Sequence, residues 1–244
     1  MRFIVTRPEA DAGAVAQRLE SAGHEVVKAP LMAIERRPGV IPERSYRAVL
    51  ITSANGARAL ADHPHRQRLA DAEVHAVGPG SAAAMRAAGW GAVHQAEGDV
   101  AALIAAVRAH LKPADGPLLH VSGETVTGDL AGALAASGFA VDRVVLYAAD
   151  PVPALPAGAA AVLAEARRGD AVLLYSPRTA EIWVRLVVAA GLGTAAAKLQ
   201  HLCLSEAVAR RVGSAFPDAP VAVAARPDED AMVALALMTA AAGR

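Results

Sequence analysis

The chain has 244 residues, 54% of them hydrophobic but only 3% aromatic, and its 24 basic residues balance 24 acidic ones. A chain with this balance has no long-range electrostatic field that would attract nucleic acid or an anionic membrane, which excludes binding to either partner by that means. The single cysteine, Cys203, excludes an intramolecular disulfide and is typical of a reducing cytosol. Because the sequence also has no signal peptide and no apolar run long enough to span a membrane, we expect a cytoplasmic protein.

Short apolar runs alternate with alanine- and leucine-rich stretches of helical periodicity along the whole chain. In the stretch 11–22, for example, Val15 and Leu19 fall on one helix face. The runs that predict strands are Phe3–Thr6, Glu25–Lys28, Ala48–Thr52, Val74–Val77, Ala92–Gln95, Leu118–Ser122, Ala140–Val145, Ala171–Ser176, His201–Leu204 and Val221–Ala224. This alternation predicts an α/β fold with largely parallel sheets flanked by helices.

The chain also repeats itself. A shift of 115 residues places Leu19 on Leu134 and Gly23 on Gly138. A shift of 123 residues places Ala48-Val49-Leu50 on Ala171-Val172-Leu173. The repeat predicts two similar lobes, which usually bind a ligand between them.

Two stretches have the composition of linkers. Residues 33–43 carry prolines and charges, and residues 148–158 hold three prolines. Because these linkers divide each half of the repeat, we expect a discontinuous first lobe of residues 1–34 plus 151–244. The second lobe is then residues 35–150, and two extended linkers join the lobes.

Small hydroxyl, glycine and proline residues follow most of the predicted strands. Free backbone N–H groups at the start of the next helix would bind carboxylate or phosphate there. The candidate contacts are Thr6, Arg7, Thr52, Ser53, Asn55, Gly78, Pro79, Gly80, Ser81, Ser122, Gly123, Ser176, Pro177, Arg178, Thr179 and Ser205. An alternative interpretation of each of these sites is a simple helix N-cap that binds no anion.

The sequence gives only weak indications of nucleotide binding or metal binding. Gly78, Gly80 and Ala83 satisfy a G-x-G-x-x-A dinucleotide fingerprint, but such a fingerprint normally opens the first βαβ unit. A nucleotide-binding enzyme therefore stays a less favoured alternative. His63 and His65 form the only close histidine pair in the sequence, and their polar surroundings favour a surface loop over a metal site.

Five motifs in this order resemble the uroporphyrinogen-III synthase family. They are TRP after the first strand, LITSANGARAL (50–60), AVGPGSAAAMRAAG (76–89), LAASGFAVDRVVLY (134–147) and YSPRTAEIW (175–183). The resemblance implies a monomer with two α/β lobes that converts the linear tetrapyrrole hydroxymethylbilane to uroporphyrinogen III. Ring D is inverted and water is lost, with no metal or organic cofactor.

The resemblance also implies roles for residues. The substrate carries eight carboxylates, which helix N-termini and a few arginines such as Arg7 or Arg178 would bind. Tyr147 matches the family's tyrosine, the candidate catalytic residue that donates a hydrogen bond to the leaving hydroxyl. The sequence departs from the family pattern in two places. Ser205 is the only hydroxyl residue after the predicted strand His201–Leu204, and no arginine stands beside Gly123 after the predicted strand Leu118–Ser122. These departures leave open a catalytically silent relative that binds a tetrapyrrole or another polyanion.

Overall fold

A computed structural model describes residues 1–126, 128–165, 167 and 169–242. The strands are β1 (Arg2–Val5), β2 (Glu25–Lys28), β3 (Met32–Arg36), β4 (Ala48–Ile51), β5 (Glu73–Ala76), β6 (Val93–Gln95), β7 (Leu118–Gly123), β8 (Val141–Pro151), β9 (Ala171–Leu174), β10 (Gln200–Cys203) and β11 (Val221–Val223). The α-helices are α1 (Glu9–Ser21), α2 (Ala54–Ala61), α3 (Pro79–Ala87), α4 (Val100–His110), α5 (Leu130–Ala135), α6 (Ala157–Glu165), α7 (Pro177–Ala189), α8 (Gly193–Ala196), α9 (Glu206–Ala215) and α10 (Glu229–Ala242). Contacts divide the chain into two compact units, Met1–Ala33 with Asp150–Arg244, and Ile34–Ala149.

The first unit is built on a sheet with the strand order β2-β1-β9-β10-β11. Every pairing in this sheet is parallel, and Phe3 lies beside Val26 on one side and Ala171 on the other. Val15 and Leu19 of α1 pack with Met232 of α10 in one apolar cluster on a face of this sheet. The helical periodicity in the stretch 11–22 therefore marks the face of α1 that is buried.

The second unit is built on a sheet with the order β3-β8-β7-β4-β5-β6. Successive residues of β4 belong to different clusters: Val49 packs in a cluster with helices α2 and α3, and Leu50 in a cluster with α4 and α5. A strand covered on both faces loses the apolar–polar alternation. This explains why β4 reads as a short, continuous apolar run in the sequence.

Five strands of the second sheet repeat the order of the first, and β3 is an additional edge strand. The order β2-β1-β9-β10-β11 in the first corresponds to β8-β7-β4-β5-β6 in the second. The 115-residue shift thus relates β1 and β2 to β7 and β8, and the 123-residue shift relates β4 to β9. The strand order of each sheet reverses at one pair of neighbours, β1 with β9 and β4 with β7.

The two stretches with linker composition contain more strand than the sequence indicates. Residues 33–43 begin inside β3, an edge strand, and residues 148–151 are the end of β8. Proline is tolerated at a strand end and on a sheet edge, so proline content alone did not separate strand from linker. Among the described residues, the helices are all too short or too polar to cross a membrane.

Candidate active site

Ligands of open α/β sheets bind beyond the carboxyl ends of the strands, where the strand order reverses. In the second unit this point lies between β4 and β7. Ser53 follows β4 within two residues, and Gly123 is the last residue of β7. The side chains around these two residues therefore define the candidate active site of this unit.

A bulge in β8 brings Tyr147 to this point. Ser122 pairs with Val145 and Gly123 pairs with Tyr147, so two residues of β8 advance where β7 advances by one. Such an irregularity redirects the side chains that follow it. The Tyr147 ring consequently packs on Gly123, where an added Cβ would lie only 2.8 Å from Cζ of the ring.

The Tyr147 hydroxyl lies 2.7 Å from Oγ of Ser53, and either group can be the donor. Oγ of Ser53 also accepts a hydrogen bond from the backbone N–H of Gly56 at 3.0 Å, which caps α2. A chain of polar groups therefore joins the helix N-terminus, the serine and the tyrosine. Because Ser53 serves Tyr147 as well as the helix, its role goes beyond that of a simple cap.

Arg143 organises the loop after β7, and the sequence analysis did not identify it. Its Nε donates to Oγ of Ser122 at 2.9 Å, and its Nη2 donates to the carbonyl oxygens of Gly123 at 2.9 Å and Glu124 at 3.0 Å. An arginine from the neighbouring strand thus lies beside Gly123, where the local sequence has none. Ser122 is fully buried, and its hydroxyl oxygen is occupied by this guanidinium.

The helix N-termini of the second unit differ in what they offer an anion. Gly78 caps α3 without a side-chain bond, and neither α2 nor α3 has an acidic residue in its first turn. The amides of Gly80 and Ser81 have no acceptor within α3, as in any first helical turn. Thr52 and Asn55, around the start of α2, are half-buried. Ser122 and Gly123 precede α5 by several residues and are not at its N-terminus.

In the first unit, the strand order reverses at β1 and β9, and several predicted contacts serve the protein itself. Oγ1 of the fully buried Thr6 donates to the carbonyl oxygen of Leu173 at 2.6 Å, which joins the two strands. Ser176 and Thr179 form a reciprocal capping box at the start of α7, and Pro177 is its first residue. These hydroxyl groups therefore stabilise the edge of the sheet before any ligand is bound.

Arg7 and Tyr175 form a second pair at this edge. The guanidinium carbon of Arg7 lies 5.0 Å from the centre of the Tyr175 ring, and Nη1 donates to Oε2 of Glu229. The Tyr175 hydroxyl is buried without a hydrogen-bond partner, and burial raises its pKa well above the ordinary value. Arg7 is thus a cation that already shares a carboxylate, whereas Arg178 is exposed at the start of α7.

The N-termini of the helices that follow β1 and β10 are less suited to anions. Ser205 caps α9 without a side-chain hydrogen bond, and Glu206 follows it in the first turn. Helix α1 carries Glu9 and Asp11 in its first turn. Because these carboxylates already occupy the positive ends of the two helices, α7 is the best suited to a carboxylate ligand among the helices that follow β1, β9 and β10.

Two solved structures have the same fold over their full length. The uroporphyrinogen-III synthetase of Helicobacter pylori 26695 is 14% identical, with a TM-score of 0.67 over 98% of this chain and 99% of that chain. A mutant uroporphyrinogen III synthase of the extremely thermophilic bacterium Thermus thermophilus is 18% identical, with a TM-score of 0.55 over 100% of both chains. At these identities the similarity establishes the fold.

No curated protein sequence matches the chain. The family model described as uroporphyrinogen-III synthase HemD, however, matches residues 13–234. That range contains four of the five motifs completely and includes Ser53, Gly123 and Tyr147. The chain belongs to the uroporphyrinogen-III synthase family.

Proposed function

We propose that this chain is a uroporphyrinogen-III synthase that cyclises hydroxymethylbilane to uroporphyrinogen III. The match to the family over residues 13–234 is the observation that carries the proposal. The placement of Tyr147 beside Ser53 at the strand-order reversal of the second sheet supports it. Family membership makes the chain an enzyme of heme biosynthesis. Since the hydroxymethyl oxygen leaves as water, the proposed reaction class is a cyclising hydro-lyase.

The substrate's carboxylates are bound by backbone amides and by a few cations. The helices best suited to this are α2, α3 and α7, because each begins three residues after a strand ends and none has an acidic residue in its first turn. Gly78, Gly80 and Ser81 allow a carboxylate to approach the backbone of α3 closely. A chain with zero net charge can bind a polyanion in this way, since the positive charge is local.

Tyr147 assists the departure of the hydroxyl group. Its phenol donates a hydrogen bond to the leaving oxygen while the C–O bond breaks, and the pyrrole nitrogen supplies the electron pair. The pyrrole N–H proton is lost in the same step, so hydroxide and this proton together account for the water that leaves. Ser53 then donates its hydroxyl hydrogen to the phenolic oxygen at 2.7 Å. The helix N-terminus behind Ser53 stabilises the negative charge that develops along this chain of groups.

Binding of the folded tetrapyrrole determines which isomer forms on ring closure. Closure to the inverted isomer requires the substituted carbon of ring D to approach the electrophilic end of the chain. Holding the two ends together converts an unfavourable encounter into a step within one complex. We propose that the protein does this as a cytoplasmic monomer without a cofactor, acting on a small-molecule substrate.

Turnover of freshly generated hydroxymethylbilane tests the proposal and separates it from two alternatives. The products are oxidised and the isomers are separated, with heat-denatured protein as the control. A synthase raises isomer III above the spontaneous isomer I background. A silent tetrapyrrole-binding relative binds the product without this rise, and a nucleotide enzyme is stabilised against heat by NAD or NADP; either result would overturn the proposal.

A further inference from the structure

Three potential metal ligands meet at the edge of the second sheet, away from Tyr147. Glu73 and His75 are two residues apart on β5, and His94 lies directly opposite His75 on β6. Residues in these positions share one face of the sheet. The two imidazole rings are stacked with centroids 4.8 Å apart, and one donor atom from each of the three residues lies within 4.8 Å of the other two.

The buried member of this cluster lacks the partners it needs. His75 is 1% exposed, and neither of its ring nitrogens has a hydrogen-bond partner. A buried polar group without a partner destabilises the folded protein and calls for an explanation such as a bound ion.

Glu73 is oriented toward the two histidines. Nη2 of Arg47 donates to Oε1 of Glu73 at 2.8 Å and lowers the pKa of this carboxyl. The other oxygen, Oε2, lies 3.7 Å from Nε2 of His75 and 3.8 Å from Nε2 of His94. A partner that holds one oxygen and leaves the other for a metal is typical of the groups that surround metal ligands.

We propose that Glu73, His75 and His94 bind a divalent transition-metal ion, with Zn²⁺ as the best match. Two imidazoles and one carboxylate oxygen form a donor set that suits Zn²⁺. The fourth position is left to water or to His110, whose ring lies 5.8 Å from that of His94. Nδ1 of His110 bonds to the carbonyl oxygen of Ala106, so Nε2 is the nitrogen with which this ring would bind an ion.

Binding requires only a small movement. Donor atoms around a tetrahedral zinc ion, with bonds of about 2.0–2.1 Å, are roughly 3.3 Å apart. The side chain of His94 is 46% exposed, so its ring can turn toward the other two donors and give the ion a path from solvent. Glu73 begins β5, whereas the Gly78–Ser81 loop follows the other end of that strand. The ion therefore stabilises the edge of the sheet and takes no part in the proposed reaction.

Metal titration of the tag-free full chain after chelator treatment tests this site. Zn²⁺ or Co²⁺ alone is titrated by calorimetry, and Co²⁺ binding is also followed by its visible absorption. We expect one ion per chain and an increase in Tm with Zn²⁺. Glu73→Gln and His94→Ala, whose side chains are both partly exposed, should each raise Kd by at least about tenfold and abolish the rise in Tm.

His65→Ala is the matched control, since it removes an exposed imidazole outside the cluster. It should bind Zn²⁺ like the unmodified chain. The proposal fails if the folded, metal-free protein binds no ion saturably. It also fails if His94→Ala retains the unmodified affinity, or if His65→Ala loses as much affinity as His94→Ala.

Discussion

At the residue scale, the position of the Tyr147 ring depends on the missing side chain of Gly123 as much as on the contacts of the ring itself. Gly123 leaves the space that the phenol ring occupies, and the bulge in β8 turns the ring toward it. The hydroxyl then meets Ser53, which is fixed by its cap to α2. A glycine, a strand bulge and a helix cap therefore together fix the position of the Tyr147 phenol.

Replacing Tyr147 with Phe should lower the rate of isomer III formation by about tenfold to a hundredfold, because general acid assistance is lost while substrate positioning remains. The rate is measured under saturating substrate, with Tm as the test of folding. Tyr46→Phe is the control, since Tyr46 is also buried and donates to Asp142 at 2.6 Å. The control should lose about 1 kcal/mol of stability without losing rate. Equal rates for Tyr147→Phe and the unmodified chain would exclude Tyr147 from the mechanism.

Gly123→Ala should destabilise the protein by roughly 1–3 kcal/mol and reduce isomer III formation. The added Cβ would lie 2.8 Å from the Tyr147 ring, so the ring must move away from Ser53. Urea unfolding and the isomer assay measure both effects. Gly13→Ala is the matched control because a Cβ at this position in α1 meets nothing within 4 Å. If Gly123→Ala behaves like Gly13→Ala, the close approach of the ring is not required.

At the element scale, the anion sites predicted after β1, β4, β5, β7, β9 and β10 differ in local charge, which the alternation of strands and helices in the sequence does not show. Helices α1 and α9 place carboxylates in their own first turns, whereas α2, α3 and α7 do not. The loop after β7 is organised by Arg143 instead of by a helix. We therefore propose that the substrate's carboxylates bind at three of the predicted positions, the N-termini of α2, α3 and α7.

A charge placed at the start of α3 tests this ranking. Gly80 is exposed and has room for a Cβ, so both Gly80→Asp and Gly80→Asn should fold. Gly80→Asp should raise KM by about tenfold, because two like charges near a protein surface repel by roughly 1–4 kcal/mol. The neutral variant Gly80→Asn has nearly the same shape and should leave KM nearly unchanged. Equal KM values for the two variants would rule out a carboxylate at this helix.

Much of this element-level arrangement was predictable from the sequence. The apolar runs located ten of the strands, and Asp99 caps α4 as its position before Val100 suggests. Contacts that depend on the order of strands were not predictable. Arg143 reaches Ser122 only because β8 lies beside β7, and His75 meets His94 only through the register of β5 and β6.

At the scale of the whole molecule, the chain contains two sheets that share the order of five strands. We propose that residues 1–34 with 151–244, and residues 35–150, are the two domains. Three buried histidines are distributed over these regions: His75, His120 and His201. Burial lowers the pKa of each of them from 6.5 to about 4, so all three are neutral in the folded protein at pH 7.

Stability should consequently fall as the pH is lowered. Below pH 6.5 the unfolded chain binds protons that the folded protein does not bind until about pH 4. Each histidine thus contributes a loss of roughly 3 kcal/mol across this window, and full stability is kept above it. His120→Leu should reduce the proton uptake on unfolding by about one, measured by urea unfolding from pH 7 to pH 4 with chelator present. An unchanged pH dependence in His120→Leu would contradict this assignment.

The central claim is that this chain directs ring closure to the inverted isomer. The most direct measurement is the initial rate of isomer III formation from fresh hydroxymethylbilane, compared with spontaneous formation of isomer I in the same vessel. We expect that isomer III rises in proportion to protein concentration and exceeds isomer I. Formation of isomer I alone, from a sample that unfolds cooperatively and is therefore folded, would contradict it.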